Sequence, residues 1–192
     1  MKRILITILI GLTSLSMFAQ YTATYTCSLN GQPLTAVTDN EGKYLHIAVL
    51  GQYTTDQVFF LVATKDIPDF YNGMCAIYDK YLEWEKVAKE NNVTDMRKDF
   101  DIELPKITLA WKSSDYYFEY KHTLKPAFTV LEDGSIYCVM SGKGHSSTNR
   151  YIDQEYYFVV AGDDFKHFLE VINPETIEAG KAEKKEIDEL FK

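Results

Sequence analysis

Two stretches of this chain follow the same strand–turn–helix plan, and they constrain its fold more than any other feature. Val58–Met74 and Tyr156–Ile172 each place an apolar run before a break and a short amphipathic segment. A strand that is apolar on both faces is typical of a covered, central position in a sheet. The two stretches align at an offset of 98 residues with five identities: Phe60 and Phe158, Val62 and Val160, Ala63 and Ala161, Asp66 and Asp164, Phe70 and Phe168.

The regions around these stretches also correspond, which favours an internal duplication over a chance similarity of generic strand–helix units. Glu41-Gly42 and Asp133-Gly134 each open an alternating segment, and Asn30-Gly31 is a further hairpin signal. Glycine suits such turns because it adopts positive φ without a Cβ clash. Strands are predicted at 21–29, 34–38, 43–50, 57–63, 107–111, 116–122, 127–131, 135–141 and 154–161, and helices at 68–91 and 164–172.

The predicted fold class is therefore α+β, an antiparallel sheet with helices on one face. Two tandem ββββα repeats would be related by a pseudo-two-fold axis, with Asp66 and Asp164 as equivalent helix caps. The first half spans residues 20–92, a polar connector spans 93–105, and the second half spans 106–173. A charged amphipathic tail follows at 174–192, either as a loosely docked helix or as a frayed end.

The first 19 residues have the pattern of a bacterial secretory signal peptide. Lys2 and Arg3 precede an apolar run from Ile4 to Leu12, and Ala19 ends a small-residue exit before Gln20. The apolar run is shorter than the roughly 20 residues that span a bilayer, so stable membrane insertion is not expected. We expect a periplasmic or extracellular protein.

The charge of the chain restricts its partners. Cleavage after Ala19 would remove Lys2 and Arg3 from the 20 basic residues, leaving 18 against 28 acidic residues and a formal charge of −10. Nucleic-acid binding needs cationic side chains that replace phosphate counterions, so a nucleic-acid partner is not expected. A protein or a glycan remains as the expected partner class.

No motif for catalysis, a metal or a cofactor is present in the sequence. The chain has no Gly-x-Ser-x-Gly elbow, no His-Glu-x-x-His pair, no P-loop and no dinucleotide fingerprint. We therefore expect no cofactor and no metal site, and we lean against an enzyme. The three cysteines, Cys27, Cys75 and Cys138, are interpreted as ordinary core residues, with one disulfide as the open alternative.

Two groups of residues are candidates for ligand contact. In the predicted loop 141–150, the backbone N–H groups beside Lys143, His145, Asn149 and Arg150 would cradle an anion, unless the loop is only a solvated connection. Tyr116 and Tyr120 project to one side of a strand, where exposed tyrosines offer rigid amphipathic contact area. Burial of such rings against a helix is the competing interpretation.

Three functions agree with these features. The preferred one is a non-enzymatic binding module that contacts a protein or glycan through its sheet face or through a groove between the halves. The second is a small hydrolase or lyase assembled from distant residues, with Lys143, His145 and Arg150 as its candidates. The third is a structural subunit of the envelope or of a surface assembly.

Overall fold

A computed structural model describes residues 21–149 and 151–189. The predicted signal peptide and Arg150 lie outside the described residues. Ten antiparallel strands form one open sheet with three α-helices, which confirms the α+β class. The strands are β1 Thr22–Cys27, β2 Gln32–Thr38, β3 Tyr44–Gly51, β4 Gln57–Ala63, β5 Met96–Asp99, β6 Ile107–Lys112, β7 Tyr116–His122, β8 Pro126–Val130, β9 Ile136–His145 and β10 Asp153–Val160. The helices are α1 Ile67–Glu90, α2 Gly162–Ile172 and α3 Pro174–Glu189.

The strands run in the order β5-β8-β9-β10-β3-β4-β6-β7, and β2 joins β3 while carrying β1 on its other edge. β3 is therefore the branch point of the sheet. Its first part pairs with β2 from Leu45 to Ile47, and its last two residues, Leu50 and Gly51, pair with β10. The β1–β2 hairpin and the β8–β9–β10 meander consequently diverge from the same edge of β3.

The helices cover the face of the sheet that carries the large buried side chains. Phe60 and Val62 of β4 and Phe158 and Val160 of β10 are all at most 1% exposed, as the apolar runs predict. Phe168 of α2 contacts Phe158 with ring centroids 4.8 Å apart. One continuous core joins these strands to the buried residues of α1 and α2 and to Ile177 of α3. The tail beyond Asn173 is thus a docked helix over its described part.

The tandem ββββα repeat is not confirmed, because the strand order of the two halves differs. In the first half β1 to β4 pair in sequence. In the second half five strands precede α2; β6 pairs with β4 of the first half and carries β7 on its other edge, so neither strand pairs with β8. The edge of β8 is occupied by β5, which forms within the segment predicted to be an irregular connector. A polar four-residue strand has no periodicity of its own, and backbone pairing to β8 accounts for it.

The two predicted aspartate caps are wrong. Asp66 is the residue before α1, but its backbone (φ −98°, ψ −4°) is already helical and its carboxylate caps no backbone N–H. A capping side chain works from an extended backbone, which explains the difference. Asp164 lies inside the first turn of α2 and accepts a hydrogen bond from the Ser28 hydroxyl at 2.8 Å. The Ser28 hydroxyl in turn accepts a hydrogen bond from the N–H of Ala161. A residue that follows β1 is therefore hydrogen-bonded to the start of α2.

The predicted hairpin glycines adopt the expected conformation. Gly31, Gly42 and Gly134 have φ values of 69°, 66° and 82° at the β1–β2, β2–β3 and β8–β9 turns. All three cysteines are free thiols, with Cys27 and Cys138 buried in the core and Cys75 partly buried on α1. None of the helices in the described residues is long and apolar enough to cross a membrane.

Candidate functional site

The structure brings the two predicted contact regions together at one end of the sheet. β9 is longer than expected and extends through Lys143 to His145, so the connecting loop is short. The N–H of Ser147 in this loop donates to the carbonyl of Phe118 on β7 at 2.8 Å. The N–H of Tyr120 lies 3.4 Å from the Ser147 hydroxyl oxygen. The loop therefore lies against the tyrosine-bearing strand.

The backbone of this loop offers no free donors for an anion between residues 145 and 149. His145 N–H donates to Glu119 Oε2 at 2.6 Å, and the N–H groups of Ser146 and Ser147 donate to carbonyls. The N–H groups of Thr148 and Asn149 both point at the Ser146 hydroxyl oxygen. The predicted anion cradle thus has its backbone donors occupied by the protein itself.

The side chains of the predicted loop candidates do not converge. Lys143 pairs with Asp153 across β9 and β10, with Nζ 2.8 Å from Oδ2, and this contact raises the pKa of the lysine. His145 is exposed at the end of β9, and the Asn149 amide oxygen accepts from the N–H of Tyr151. Arg150 lies outside the described residues. Two clefts, one between α1, β9 and α2 and the other beside Trp84 and Val93, are lined by other residues.

Three polar side chains form a largely buried chain of hydrogen bonds beneath the loop, which the sequence did not predict. Glu119 Oε1 is 2.9 Å from His122 Nδ1, and His122 Nε2 is 2.8 Å from the Tyr156 hydroxyl. With a proton on Nδ1 and none on Nε2, His122 donates to Glu119 and accepts from Tyr156. Burial, assisted by the charge of Glu119, raises the pKa of Tyr156 to about 12, so its hydroxyl keeps the proton that it donates.

A β-bulge in β7 makes this chain geometrically feasible. In a regular strand, residues 119 and 122 would project from opposite faces because their separation is odd. Here two residues, Tyr120 and Lys121, lie opposite Thr108 of β6, and Lys121 has a φ of 59°. The extra residue turns the His122 side chain to the face of the strand that carries Glu119. The sequence carries no signal for this bulge, since lysine has no preference for positive φ.

Packing explains the two glycines that flank Lys143. A Cβ at Gly144 would lie 2.1 Å from Leu109 Cδ2, and a Cβ at Gly142 would lie 2.8 Å from the Tyr156 hydroxyl oxygen. Their small size therefore lets β6, β7 and β10 approach β9 closely. Close packing thus accounts for both glycines without the predicted anion cradle.

A cleft of about 370 Å³ lies where the two halves meet, between α1, the start of β9 and the start of α2. Its polar groups already bind each other. Lys89 Nζ is 3.0 Å from Glu85 Oε1, and Ser28 donates to Asp164. Tyr81 is buried at the base of the cleft, where burial raises its pKa and its hydroxyl lies 3.2 Å from the carbonyl oxygen of Ile136.

The face of the sheet opposite the helices is the larger candidate surface. Strand register and the alternation of side chains along each strand place its side chains in three rows on β3, β4, β6 and β7, and the first row also reaches β10. We call these residues the aromatic face: Tyr157, Leu50, Gln57, Lys112 and Tyr116 in the first row, Ala48, Phe59, Ala110 and Phe118 in the second, and His46, Leu61, Thr108 and Tyr120 in the third. In the described part of the chain, none of the helices packs on this face.

The tyrosines of the aromatic face are its most exposed members. Tyr116, Tyr120 and Tyr157 are 43%, 61% and 37% exposed, whereas Ala110 and Leu61 between them are buried. The rings of Phe118 and Tyr120 are nearly parallel, with centroids 6.2 Å apart. Sequence reasoning identified Tyr116 and Tyr120 correctly as members of one side of a strand. It missed Tyr157, Phe59 and His46, which only strand pairing places beside them.

Among the described residues, no group of three or more histidine, cysteine, aspartate or glutamate side chains is arranged to hold a metal ion. Comparisons with protein families, with curated proteins and with solved structures found no match. The function of the chain therefore has to be argued from its own surface.

Proposed function

We propose that this protein is a secreted, non-enzymatic binding module that contacts a protein or glycan partner through the aromatic face. The observation that supports the proposal is the exposure of three tyrosines on a continuous, five-stranded face against which no described helix packs. Tyrosine rings in a rigid sheet provide large contact area at little cost in conformational entropy. Exposed apolar patches of this kind commonly mark interaction sites in soluble proteins.

The arrangement of polar groups favours binding over catalysis. A hydrolase or lyase would need a histidine beside a carboxylate or a nucleophile at the wall of a cleft. His122 does lie beside Glu119, but it is only 9% exposed and lines neither of the two clefts. His145, the catalytic candidate of the sequence, has an exposed side chain and also lines neither cleft. These placements give the enzyme hypothesis less support than the binding hypothesis.

The proposal is tested by comparing two variants for partner capture. The chain and a variant with Tyr116→Ala, Tyr120→Ala and Tyr157→Ala are immobilised and exposed to culture and envelope fractions and to a glycan array. We expect a partner that the chain retains and the variant does not. A control, Leu82→Ala, removes an exposed side chain from α1 on the opposite side of the sheet, and it should retain the partner. Equal capture by chain and triple variant would overturn the proposal.

Secretion is a separate part of the proposal. It depends on the charged start and the short apolar run of residues 1–19. Expression of the whole chain in a bacterium, followed by N-terminal sequencing of the protein from the periplasm or medium, should give a chain that begins at Gln20. Retention in the cytoplasm with Met1 intact would contradict secretion while leaving the binding proposal testable.

A further inference from the structure

We infer that the ligand of the aromatic face is a neutral glycan. This inference rests on the proposed function and specifies its ligand. The face carries small side chains between large aromatic ones. In its second row Ala48 and Ala110 lie on either side of Phe59. Further aromatic side chains lie on the outer strands of the face, Tyr157 on β10 and Tyr116 with Tyr120 on β7. With strands about 4.8 Å apart, five strands give a platform about 19 Å wide.

The aromatic side chains suit stacking against sugar rings. The face of an aromatic ring is electronegative, so it attracts the weakly positive C–H groups that line one side of a pyranose. Phe118 and Tyr120 already lie nearly parallel, with an interplanar angle of 11°. Tyr116 is held by Lys112, whose Nζ is 5.6 Å from the ring centroid. These rings are fixed in a sheet and would need little ordering when a ligand binds.

The charge of the aromatic face argues for an uncharged ligand. None of its thirteen residues is acidic, and Lys112 is its one permanently charged side chain, although the whole chain carries 28 acidic and 20 basic residues. A polyanion would be repelled by the net negative charge of the rest of the molecule, and a polycation would meet Lys112. The carboxylates beside the face have partners within the protein: Glu155, on the same side of β10 as Tyr157, accepts from the Tyr157 hydroxyl, and Asp39 Oδ2 lies 3.9 Å from His46 Nε2.

Polar side chains between the rings supply the hydrogen bonds that a glycan requires. Gln57 carries an amide, Thr108 a hydroxyl and His46 an imidazole, one on each of three neighbouring strands. Burial lowers the pKa of His46, so at neutral pH its ring is uncharged and has one N–H donor and one nitrogen acceptor. A neutral, polyhydroxylated ligand matches these groups without a charge that needs a partner.

The test is native affinity electrophoresis of the purified chain in gels that contain a soluble polysaccharide. The neutral probes are dextran, mannan and xyloglucan, and the acidic probes are polygalacturonate and hyaluronate. We expect at least one neutral probe to retard the chain, and the double variant Tyr116→Ala and Tyr120→Ala to bind about tenfold more weakly. Leu82→Ala on α1 is the matched control and should migrate as the chain does. Near-ultraviolet circular dichroism verifies that the variants fold.

Failure of the inference is distinguishable from failure of the proposed function. Retardation by acidic probes alone, or equal retardation of the chain and the double variant, overturns the glycan inference. If no polysaccharide binds but a protein is captured by the chain and lost in the tyrosine variant, the binding module stands and the glycan inference falls. If neither a glycan nor a protein depends on these tyrosines, both are wrong.

Discussion

Phe168 of α2 packs on two strands of the sheet at once, through Tyr25 of β1 and Phe158 of β10. Its ring is fully buried and lies 4.8 Å from Phe158 and 4.9 Å from Tyr25, measured between ring centroids. We expect Phe168→Ala to lower the free energy of unfolding by about 3–5 kcal/mol, since truncation of a core phenylalanine leaves a cavity. Urea titration measures this change. A loss below about 1 kcal/mol would show that α2 contributes little to the core.

His122 links β7 to β10, and its removal should destabilise the protein through the partners that it leaves behind. In His122→Phe, Glu119 loses its imidazole donor and the buried Tyr156 hydroxyl loses its acceptor. We expect a loss of about 1–3 kcal/mol in urea titration. The matched control is His145→Ala, where the side chain is exposed and the change should stay within about 0.5 kcal/mol. Equal effects at both positions would contradict a structural role for the buried chain.

His46 should make the stability of the protein depend on pH. Burial lowers its pKa in the folded state, and the nearby Asp39 offsets only part of this effect. Below the ordinary histidine pKa of about 6.5, the unfolded chain binds more protons at this position than the folded protein does. The free energy of unfolding should therefore fall as the pH drops from about 7.5 to about 5.

The contribution of His46 is isolated by comparing the chain with His46→Gln in urea at pH values of about 7.5, 6 and 5. The variant should lose less stability than the chain over this interval, because it no longer carries the group that takes up a proton on unfolding. Parallel pH dependences of the two proteins would show that His46 contributes nothing to the slope.

At the scale of elements, Gly180 allows α3 to pack closely against Tyr21. Replacing a glycine inside a helix by alanine ordinarily stabilises it by about 1 kcal/mol. A Cβ at Gly180, however, would lie 2.5 Å from Tyr21 Cδ2, and this buried ring is anchored by a 2.7 Å hydrogen bond from its hydroxyl to the Val171 carbonyl. We expect Gly180→Ala to destabilise the protein by about 1–3 kcal/mol despite the gain in helix propensity.

Gly73 of α1 is the control for this prediction. A Cβ there would lie 2.6 Å from Leu104 Cδ2, which is the end of a flexible side chain and can rotate away. Gly73→Ala should therefore remain within about 1 kcal/mol of the original chain in thermal or urea unfolding. If Gly180→Ala were the more stable of the two variants, α3 would not be packed on Tyr21.

At the scale of the whole molecule, we expect the two halves to unfold together. β10 and β3 are joined by only two register pairs, but Phe60 of β4 contacts both Tyr156 and Phe158 of β10 beneath that junction. The two tryptophans report on distant parts of the same core. Trp111 lies buried in β6, and Trp84 on α1 stacks on Phe100 with centroids 5.0 Å apart.

Trp84→Phe and Trp111→Phe each leave one fluorescent reporter. The fluorescence transition of each variant should coincide with its transition by circular dichroism, as required of a single cooperative unit. A separate fluorescence midpoint in either variant would show that the β5–β8–β9 region and the β3–β4–β6 region unfold independently.

Elements with a local or periodic signal were predicted correctly from the sequence. The α1 range, the buried faces of β4 and β10 and the glycine turns depend on hydrophobic spacing and on backbone conformations that a few neighbouring residues determine. β5 was missed because a short polar edge strand has no such spacing. The cap predicted at Asp164 was wrong because the side chain that binds the N–H at the start of α2 comes from Ser28, which is 133 residues before Ala161 in the sequence.

The candidate site was also predicted only in part from the sequence. Alternation along β7 is sufficient to place Tyr116 and Tyr120 on one face of the strand. Their neighbours on the aromatic face come from strands far apart in the chain, and pairing with these strands is a long-range event with no local signature. The Glu119–His122–Tyr156 chain also required the bulge at Lys121 and the close approach of β9.

The sequence by itself determined most of the segments that become strands and helices, β5 excepted, and which of their faces is apolar, because both follow from side-chain periodicity and turn chemistry. Only the tertiary structure decided the strand order, the branch at β3 and the join of β6 and β7 to the first half. The physical reason is that every exposed strand edge offers the same backbone donors and acceptors. The choice among edges falls to the packing of the whole core, where Phe60, Tyr156, Phe158 and Phe168 meet.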